Sequence, residues 1–120
     1  MKLCLDAYAL VEIAQANPAF TQLLNSDFVI TEPTLAEFYG VLYRKAGKEH
    51  ATYWLVRLEP WARSVPLSIM VKAAEFKVHN ARRNVSFFDC AGYLYAQENG
   101  MRFVTGDKEF KDKDGVLFIK

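Results

Sequence analysis

The stretch "KLCLDAYALVEIAQAN", residues 2–17, sets a short strand-forming run directly before a helical pattern. The run "KLCLD" is apolar and brief, and the segment "ALVEIAQAN" after it has apolar spacing that suits a helix ending near Asn17. The same unit recurs at once: "DFVIT" (27–31) predicts a second strand, and Pro33 opens the helix "TLAEFYGVLYRKAG" (34–47). Alternation of strand and helix therefore organises the first half of the chain.

The second half continues the alternation. The patterns predict helices over 48–62, 69–83 and 86–96 and strands at "SVPLS" (64–68), "RFVTGD" (102–107) and "VLFIK" (116–120). Strand and helix in this order predict an α/β fold with a central parallel sheet of about five strands and helices on both faces. The strands carry few polar residues, as expected when both faces of a sheet are covered.

Composition sets outer bounds on the function. With 120 residues, 52% of them hydrophobic and 24% charged, the chain is expected to form one domain over residues 1–120, without linker or repeat. No apolar run approaches the roughly 20 residues of a membrane span, so we expect a cytoplasmic protein with no membrane partner. Cys4 and Cys90 lie in apolar surroundings and are expected to act as small hydrophobes. A net charge of +1 argues neither for nor against nucleic acid.

Four carboxylates are expected at one edge of the sheet. Asp6 ends the first strand, and Asp107 comes two residues after a later strand. Glu37 lies in the second turn of the helix that follows the second strand, and Asp89 lies in the first turn of the helix "SFFDCAGYLYA". In parallel sheets, ligand sites form beyond the carboxyl ends of the strands, where the strand order reverses. The joint placement of these acids therefore predicts a functional site.

A structural role for each acid stays open beside the functional one. Ser86 to Asp89 and Thr34 to Glu37 both match the pattern in which an acid satisfies backbone donors at a helix start. Asp6 and Asp107 could also cap the segments that follow them. Four caps at the same sheet edge would, however, be a coincidence.

Close carboxylates need a counter-charge. They repel by about 4 kcal/mol per close pair at an effective dielectric constant of about 20, and a divalent cation removes this conflict. Oxygen ligands without histidine or cysteine favour Mg²⁺ or Mn²⁺ over zinc. The chemistry that follows is hydrolysis of a phosphodiester bond by a metal-activated water.

The motifs "LDAYAL", "TLAEFYG", "SFFDCAGYLYA" and "FVTGDKEF" together resemble the PIN domain, a family that includes VapC-type toxin ribonucleases. The resemblance implies an α/β/α sandwich and an endoribonuclease that depends on Mg²⁺ or Mn²⁺. It also implies frequent homodimers and, in VapC-like members, a VapB-type antitoxin. Asp6, Glu37, Asp89 and Asp107 match the catalytic acids of the family, with Asp6, Asp89 and Asp107 as metal ligands and Asp107 able to act through water.

The match has one departure and one further agreement. The family often has Thr, Ser or Asn in the two positions after the first acid, where this chain has Ala7 and Tyr8. A polar contact to a metal-bound water or phosphate is therefore expected to be missing. Thr105 matches a position where the family often keeps a hydroxyl, and it is a candidate substrate contact.

Several charged residues carry two interpretations. Arg82 and Arg83 lead into the Asp89 helix and are candidate phosphate contacts, or else a basic helix end. Glu12 is expected on a solvated helix face, with a position that points back toward the site as the alternative. The charged segment "YRKAGKEH" (43–50) is expected to be a solvated tip, with partner binding as the alternative. Gly92, between aromatic residues, indicates a closely packed interface.

Two other classes of protein share some of these features. A phosphoryl-accepting receiver domain needs an aspartate at the end of the third strand, and "SVPLS" contains no acid. A catalytically silent binding or scaffold module, with the acids retained as helix caps, stays open because of Ala7 and Tyr8. The expected function is therefore a metal-dependent endoribonuclease that acts on RNA as the toxin of a toxin–antitoxin pair.

Overall fold

Five strands form one parallel sheet in the computed structural model, which describes residues 2–120. The strands are β1 (Leu3–Leu5), β2 (Phe28–Thr31), β3 (Ala62–Arg63), β4 (Arg102–Thr105) and β5 (Val116–Phe118), and their order is β3-β2-β1-β4-β5. Every neighbouring pair is parallel. The central strand β1 pairs with β2 on one side and β4 on the other, so the strand order reverses there. This confirms the predicted fold class.

Six α-helices connect the strands. They are α1 (Ala7–Ala14), α2 (Pro18–Thr21), α3 (Glu32–Ala46), α4 (Lys48–Leu58), α5 (Leu67–His79) and α6 (Phe87–Glu98). Short 3-10 turns follow α2, α4 and β4, at Gln22–Asn25, Glu59–Trp61 and Lys108–Phe110. No helix within residues 2–120 is long and apolar enough to cross a membrane.

Alternate residues of the strands point to two separate hydrophobic cores. Leu5, Ile30 and Val104 pack against α1, α3 and α4 on one face of the sheet. Cys4, Val29 and Phe103 pack against α5 and α6 on the other face. The period of two along each strand therefore builds three layers, helices above and below the sheet. Cys4 and Cys90 are buried free thiols in the second core, as expected from their surroundings.

The third strand lies earlier than the sequence predicts. The pattern "SVPLS" places it at 64–68, but β3 is Ala62–Arg63 and Leu67 already begins α5. Pro60 provides no N–H for another helical turn, and the chain leaves α4 through a 3-10 turn into the sheet. Pro66 then adopts an extended conformation at the start of α5. The strand predicted over 64–68 is therefore wrong, and the helix predicted over 48–62 ends earlier, at Leu58.

Gly92 serves packing within the chain. A β-carbon at this position would lie 3.1 Å from Phe103 Cε1 and 3.3 Å from Thr34 Oγ1. The glycine therefore lets α6 lie close to the sheet and to α3. Its small size is explained by these internal contacts.

Candidate active site

Asp6 and Asp107 follow the two central strands and are joined by one hydroxyl. Asp6 is buried and begins α1, where its Oδ1 accepts the backbone N–H of Ala9 at 2.8 Å. Asp107 begins the 3-10 turn after β4, and its Oδ1 accepts the N–H of Glu109 at 3.0 Å. The Thr105 hydroxyl accepts the N–H of Asp107 at 2.9 Å, and hydrogen bonding from the same hydroxyl lowers the pKa of Asp6. Thr105 thus lies between the two acids.

Glu37 and Asp89 are joined in a similar way by Ser86. The Ser86 Oγ accepts the N–H of Asp89 at 3.0 Å at the start of α6. The single proton of this hydroxyl is within reach of the carboxylates of Asp89 and Glu37, and hydrogen bonding to Ser86 lowers the pKa of each. Ser86 therefore lies between an acid of α6 and an acid of α3. The sequence analysis identified Ser86 only as a helix cap.

All four acids line one cavity at the carboxyl ends of the strands. Its volume is about 360 Å³. The lining residues come mainly from α1 and α3, together with the starts of α6 and of the turn after β4: Asp6, Ala7, Tyr8, Val11, Glu12, Gln15, Glu37, Val41, Lys45, Asp89 and Asp107. The cavity lies where the strand order reverses, between the ends of β1 and β4, which is the place where parallel sheets bind ligands.

The acids carry strongly perturbed pKa values. Burial raises the pKa of Asp6 to about 8, although the hydrogen bonds from Thr105 and Ala9 lower it, and the charges of Asp89 and Asp107 raise it further. Burial and the charge of Asp89 raise the pKa of Glu37 to about 7. The pKa of Asp89 is raised by burial despite its hydrogen bonds to Ser86. The fold thus concentrates carboxylates that oppose one another's ionisation.

Capping and clustering occur together at three of the acids. Asp6 and Asp107 are the N-caps of the segments that follow them, Asp89 lies in the first turn of α6 next to the cap Ser86, and all three line the cavity. Capping by these residues therefore gives no reason to doubt a functional site. Glu37 is different, because Thr31 caps α3 and accepts the N–H of Thr34 at 3.3 Å. The predicted capping pair of Thr34 and Glu37 is wrong.

The donor set is chemically suited to a hydrated divalent cation. Within residues 2–120, no three His, Cys, Asp or Glu side chains converge closely enough to enclose a metal ion by themselves. Mg²⁺ needs no such cage, since it keeps several waters and is commonly bound by one or two carboxylates. Asp6, Asp89 and Asp107, whose charges act on one another, are the residues that could hold it.

Other predicted residues lie at varying distances from this cavity. Arg83 donates to the backbone carbonyl of Glu109 at 2.6 Å, which ties the segment before α6 to the turn that contains Asp107. Arg82 is exposed, and neither arginine lines the cavity. Their contact with phosphate stays a prediction. Glu12, expected on a solvated face, lines the cavity instead, and so does Lys45 from the charged segment 43–50.

The chain is a parallel α/β/α sandwich with a cluster of acids where the strand order reverses. Comparison of its sequence with known families identifies the family. The PIN domain family model matches residues 3–116. The chain belongs to the PIN domain family, as the sequence motifs predicted. No curated protein sequence matches the chain.

Solved structures share the fold across nearly the whole chain. VapC20 of Mycobacterium tuberculosis, a toxin that cleaves the sarcin-ricin loop, has a TM-score of 0.82 at 18% identity, covering 98% of this chain and 99% of that one. VapBC2 of Rickettsia felis, bound to a DNA fragment from its promoter, has a TM-score of 0.74 at 16% identity, with 98% and 97% covered. DNA-bound VapBC of Salmonella typhimurium gives 0.73 at 19% identity, with 98% and 96% covered. At these identities the likeness is one of fold.

Proposed function

We propose that this chain is an endoribonuclease that hydrolyses RNA phosphodiester bonds with the help of Mg²⁺ or Mn²⁺. The observation that carries the proposal is the joint position of Asp6, Glu37, Asp89 and Asp107, which come from four separate elements and line one cavity. Buried like charges are costly unless a cation or proton compensates them. PIN domains form a nuclease family, and the cluster lies where such a fold binds ligands.

Each acid has a distinct part in this proposal. Asp6 and Asp89 would hold a hydrated cation, and Asp107 would contact it through a bound water; when bound, the cation would supply an activated water and positive charge for the phosphate. The Thr105 hydroxyl lies between Asp6 and Asp107. Glu37 is only half-buried, and we assign it to accept the proton of the attacking water. The Ser86 hydroxyl lies beside Glu37 and Asp89, and hydrogen bonding to it favours their ionised forms.

We further propose that the enzyme is the toxin of a type II toxin–antitoxin pair with a VapB-like antitoxin, in the cytoplasm. The support is that fold neighbours from Rickettsia felis and Salmonella typhimurium were solved as VapBC complexes. An antitoxin would bind the chain and block the cavity. Expression of the chain alone should then arrest growth, whereas expression of an Asp6→Asn variant should not.

A homodimer is the proposed assembly, and the outer face of α5 supports it. Leu67, Val71 and Val78 are 78%, 52% and 72% exposed. Together with Ala74 they follow the alternating spacing of four and three residues that joins helices in coiled coils. The opposite side of α5 is already packed against α6, and Ile69 and Ala73 on it are buried. A helix that is apolar on both sides is expected to be covered on both sides.

Cleavage of RNA tests the catalytic proposal directly. Purified protein should cleave a mixed pool of structured RNAs in Mg²⁺ or Mn²⁺, and EDTA should stop it, because the attacking water needs the cation. Asp89→Asn should lose about two orders of magnitude or more of activity, as removal of a charge at a reacting centre typically does. Asp27→Asn is the matched control, since Asp27 is exposed and precedes β2 at the opposite edge of the sheet.

Three outcomes would contradict or redirect the proposal. Cleavage that survives chelation would exclude the metal-dependent mechanism. Equal activity losses in Asp89→Asn and Asp27→Asn would remove the acid cluster from the chemistry. A folded protein that binds Mn²⁺ yet cleaves no RNA would favour the catalytically silent module that the sequence left open.

A further inference from the structure

The cavity extends from the acids as a groove between α1 and α3. On α1, Tyr8, Val11, Glu12 and Gln15 line it, and this spacing of three and four residues is one stripe of a helix. On α3 the stripe is Glu37, Val41 and Lys45. The two helices pack directly against each other. The groove thus has the acids at one end, and its walls combine apolar side chains, Val11 and Val41, with polar ones, Glu12, Gln15 and Lys45.

Lys45 is the one cation among the described residues that line this groove. It lies eight residues after Glu37 on the same helix, which places it about 12 Å along the axis at 1.5 Å per residue. Among residues 2–120 the ion pairs join Lys2 to Asp27 and Lys72 to Glu98, so the Lys45 ammonium has no carboxylate partner there. The groove therefore carries a free positive charge at a fixed distance from the acids.

We propose that this groove holds the single-stranded RNA segment next to the cleaved bond, with Lys45 contacting one of its phosphates. The inference rests on the proposed nuclease function and names how its substrate is held. At about 3.4 Å per stacked nucleotide, the contacted phosphate lies within about four nucleotides of the cleaved one. Val11 and Val41 provide apolar walls for ribose and base edges.

The width of the groove favours one strand. Packed helices have axes about 8–10 Å apart, so the depression between α1 and α3 admits a single extended chain and excludes a duplex. A peptide is the other extended chain that could enter, and the acidic end would suit a basic one. Lys45 favours nucleic acid at its own position in the groove, because its ammonium attracts a phosphate and opposes a basic side chain; Glu12 contributes a carboxylate to the same groove.

Tyr8 forms the wall at the acid end and leaves little room for base stacking. A β-carbon on Gly106 would lie 2.2 Å from the Tyr8 Cε1 atom, so the ring lies directly against this glycine. Lys120 Nζ lies 5.1 Å from the centre of the same ring. The ring is therefore engaged by the protein itself. Recognition in the groove accordingly depends on the backbone phosphate at Lys45.

The adjacent arginine provides a matched control. Arg44 and Lys45 both lie in the last turn of α3, both are exposed, and both complement the helix dipole equally. Only Lys45 lines the groove. Lys45→Gln and Arg44→Gln thus remove the same charge from the same turn, and they differ only in contact with the groove.

Cleavage of a single-stranded RNA oligonucleotide at several salt concentrations tests the proposal. Lys45→Gln should raise KM several-fold and keep kcat within about twofold. It should also reduce the slope of log kcat/KM against log salt by roughly 0.7, because that is the contribution of one phosphate contact on a single strand. Arg44→Gln should behave as wild type. In a second experiment, a neutral methylphosphonate replaces one phosphate of the RNA at a time, beside the cleaved bond. Cleavage by the wild type should be impaired at one position within about four nucleotides of that bond. Cleavage by Lys45→Gln should not change at this position.

The contrary outcomes are distinct. If the wild type cleaves no RNA in Mg²⁺ or Mn²⁺, the proposed function itself fails. If it cleaves RNA and the two variants have equal slopes, or no methylphosphonate position distinguishes them, only the role of Lys45 is overturned. Tighter binding of a lysine-rich peptide by Lys45→Gln, with the RNA slope unchanged, would make the groove a protein site.

Discussion

At the scale of single residues, the acids of the cavity combine two roles that are often treated as alternatives. A helix N-terminus offers unpaired backbone N–H groups, so an aspartate that caps it is held in one orientation. Asp6 and Asp107 are oriented in this way, Asp89 is held in the first turn of α6 by its contacts with the cap Ser86, and all three residues line the cavity. Capping thus positions each carboxylate against the repulsion of the others.

The buried Asp6 leads to a prediction about pH and stability without metal. Its pKa is about 8 in the folded chain against an ordinary value of 3.8, so the folded state binds the proton more tightly than the unfolded state. The stability that this proton contributes is complete below about pH 4 and is lost as pH rises through about 8. In EDTA, the melting temperature should therefore fall between pH 5 and pH 8.

The Asp6→Asn variant isolates the contribution of this residue. It carries no titrating group at position 6, so its melting temperature should change less between pH 5 and pH 8 than that of the wild type. Asp27→Asn, at an exposed position, should keep the wild-type dependence. Thermal unfolding followed by circular dichroism measures all three proteins. Parallel curves for the wild type and Asp6→Asn would show that Asp6 is ionised throughout this range.

At the scale of elements, the turn after β4 is fitted to the start of α1. Gly106 has no side chain, and the Tyr8 ring occupies the space that a β-carbon would need, 2.2 Å from Cε1. Tyr8 also packs against Phe20, with ring centres 5.9 Å apart. The tyrosine that replaces the small polar residue of the family pattern is thus matched by the glycine beside Asp107.

Gly106→Ala should therefore be costly. Overpacking of this kind typically destabilises a protein by about 1–3 kcal/mol, and displacement of Asp107 should lower RNA cleavage as well. In a Tyr8→Ala background the same substitution should cost much less, because the clashing ring is gone.

Gly40→Ala is the control: no atom lies within 4 Å of its added β-carbon in α3, so it should stabilise the helix slightly. Chemical denaturation of the four variants measures these differences. A neutral Gly106→Ala would contradict the close fit.

Sequence patterns predicted most of the elements but not the way that they meet. The sheet, its parallel order and the edge where Asp6 and Asp107 gather follow from strand and helix alternation. β3 was misplaced because two residues, Ala62 and Arg63, are too few to show a period. Solvent was the expected environment of Glu12 and Lys45, but both line the cavity. The sequence shows which residues share one side of a helix, but the element that this side faces depends on tertiary packing. Ser86 was found as a cap, and its second contact with Glu37 comes from another helix.

At the scale of the whole molecule, the outer face of α5 is an apolar stripe that no other part of the described chain covers. If this face joins two copies across a two-fold axis, Val71 of each copy lies near the centre, opposite Ala74 of the other. Val71→Glu would then bring two negative charges into an apolar contact. The variant should be monomeric in sedimentation equilibrium where the wild type is dimeric, with the same circular dichroism, since Val71 is 52% exposed in the single chain.

Val56→Glu on α4 gives the comparison that this experiment needs. Val56 is 65% exposed, also on a helix surface, and lies outside the α5 stripe. Its substitution should leave the dimer intact, because α4 lies outside the proposed contact through α5. A monomeric wild type, or equal dissociation by Val56→Glu and Val71→Glu, would refute pairing through α5. Pairing through α5 would leave the groove between α1 and α3 open in both copies, because α5 packs on the opposite face of the sheet from these helices.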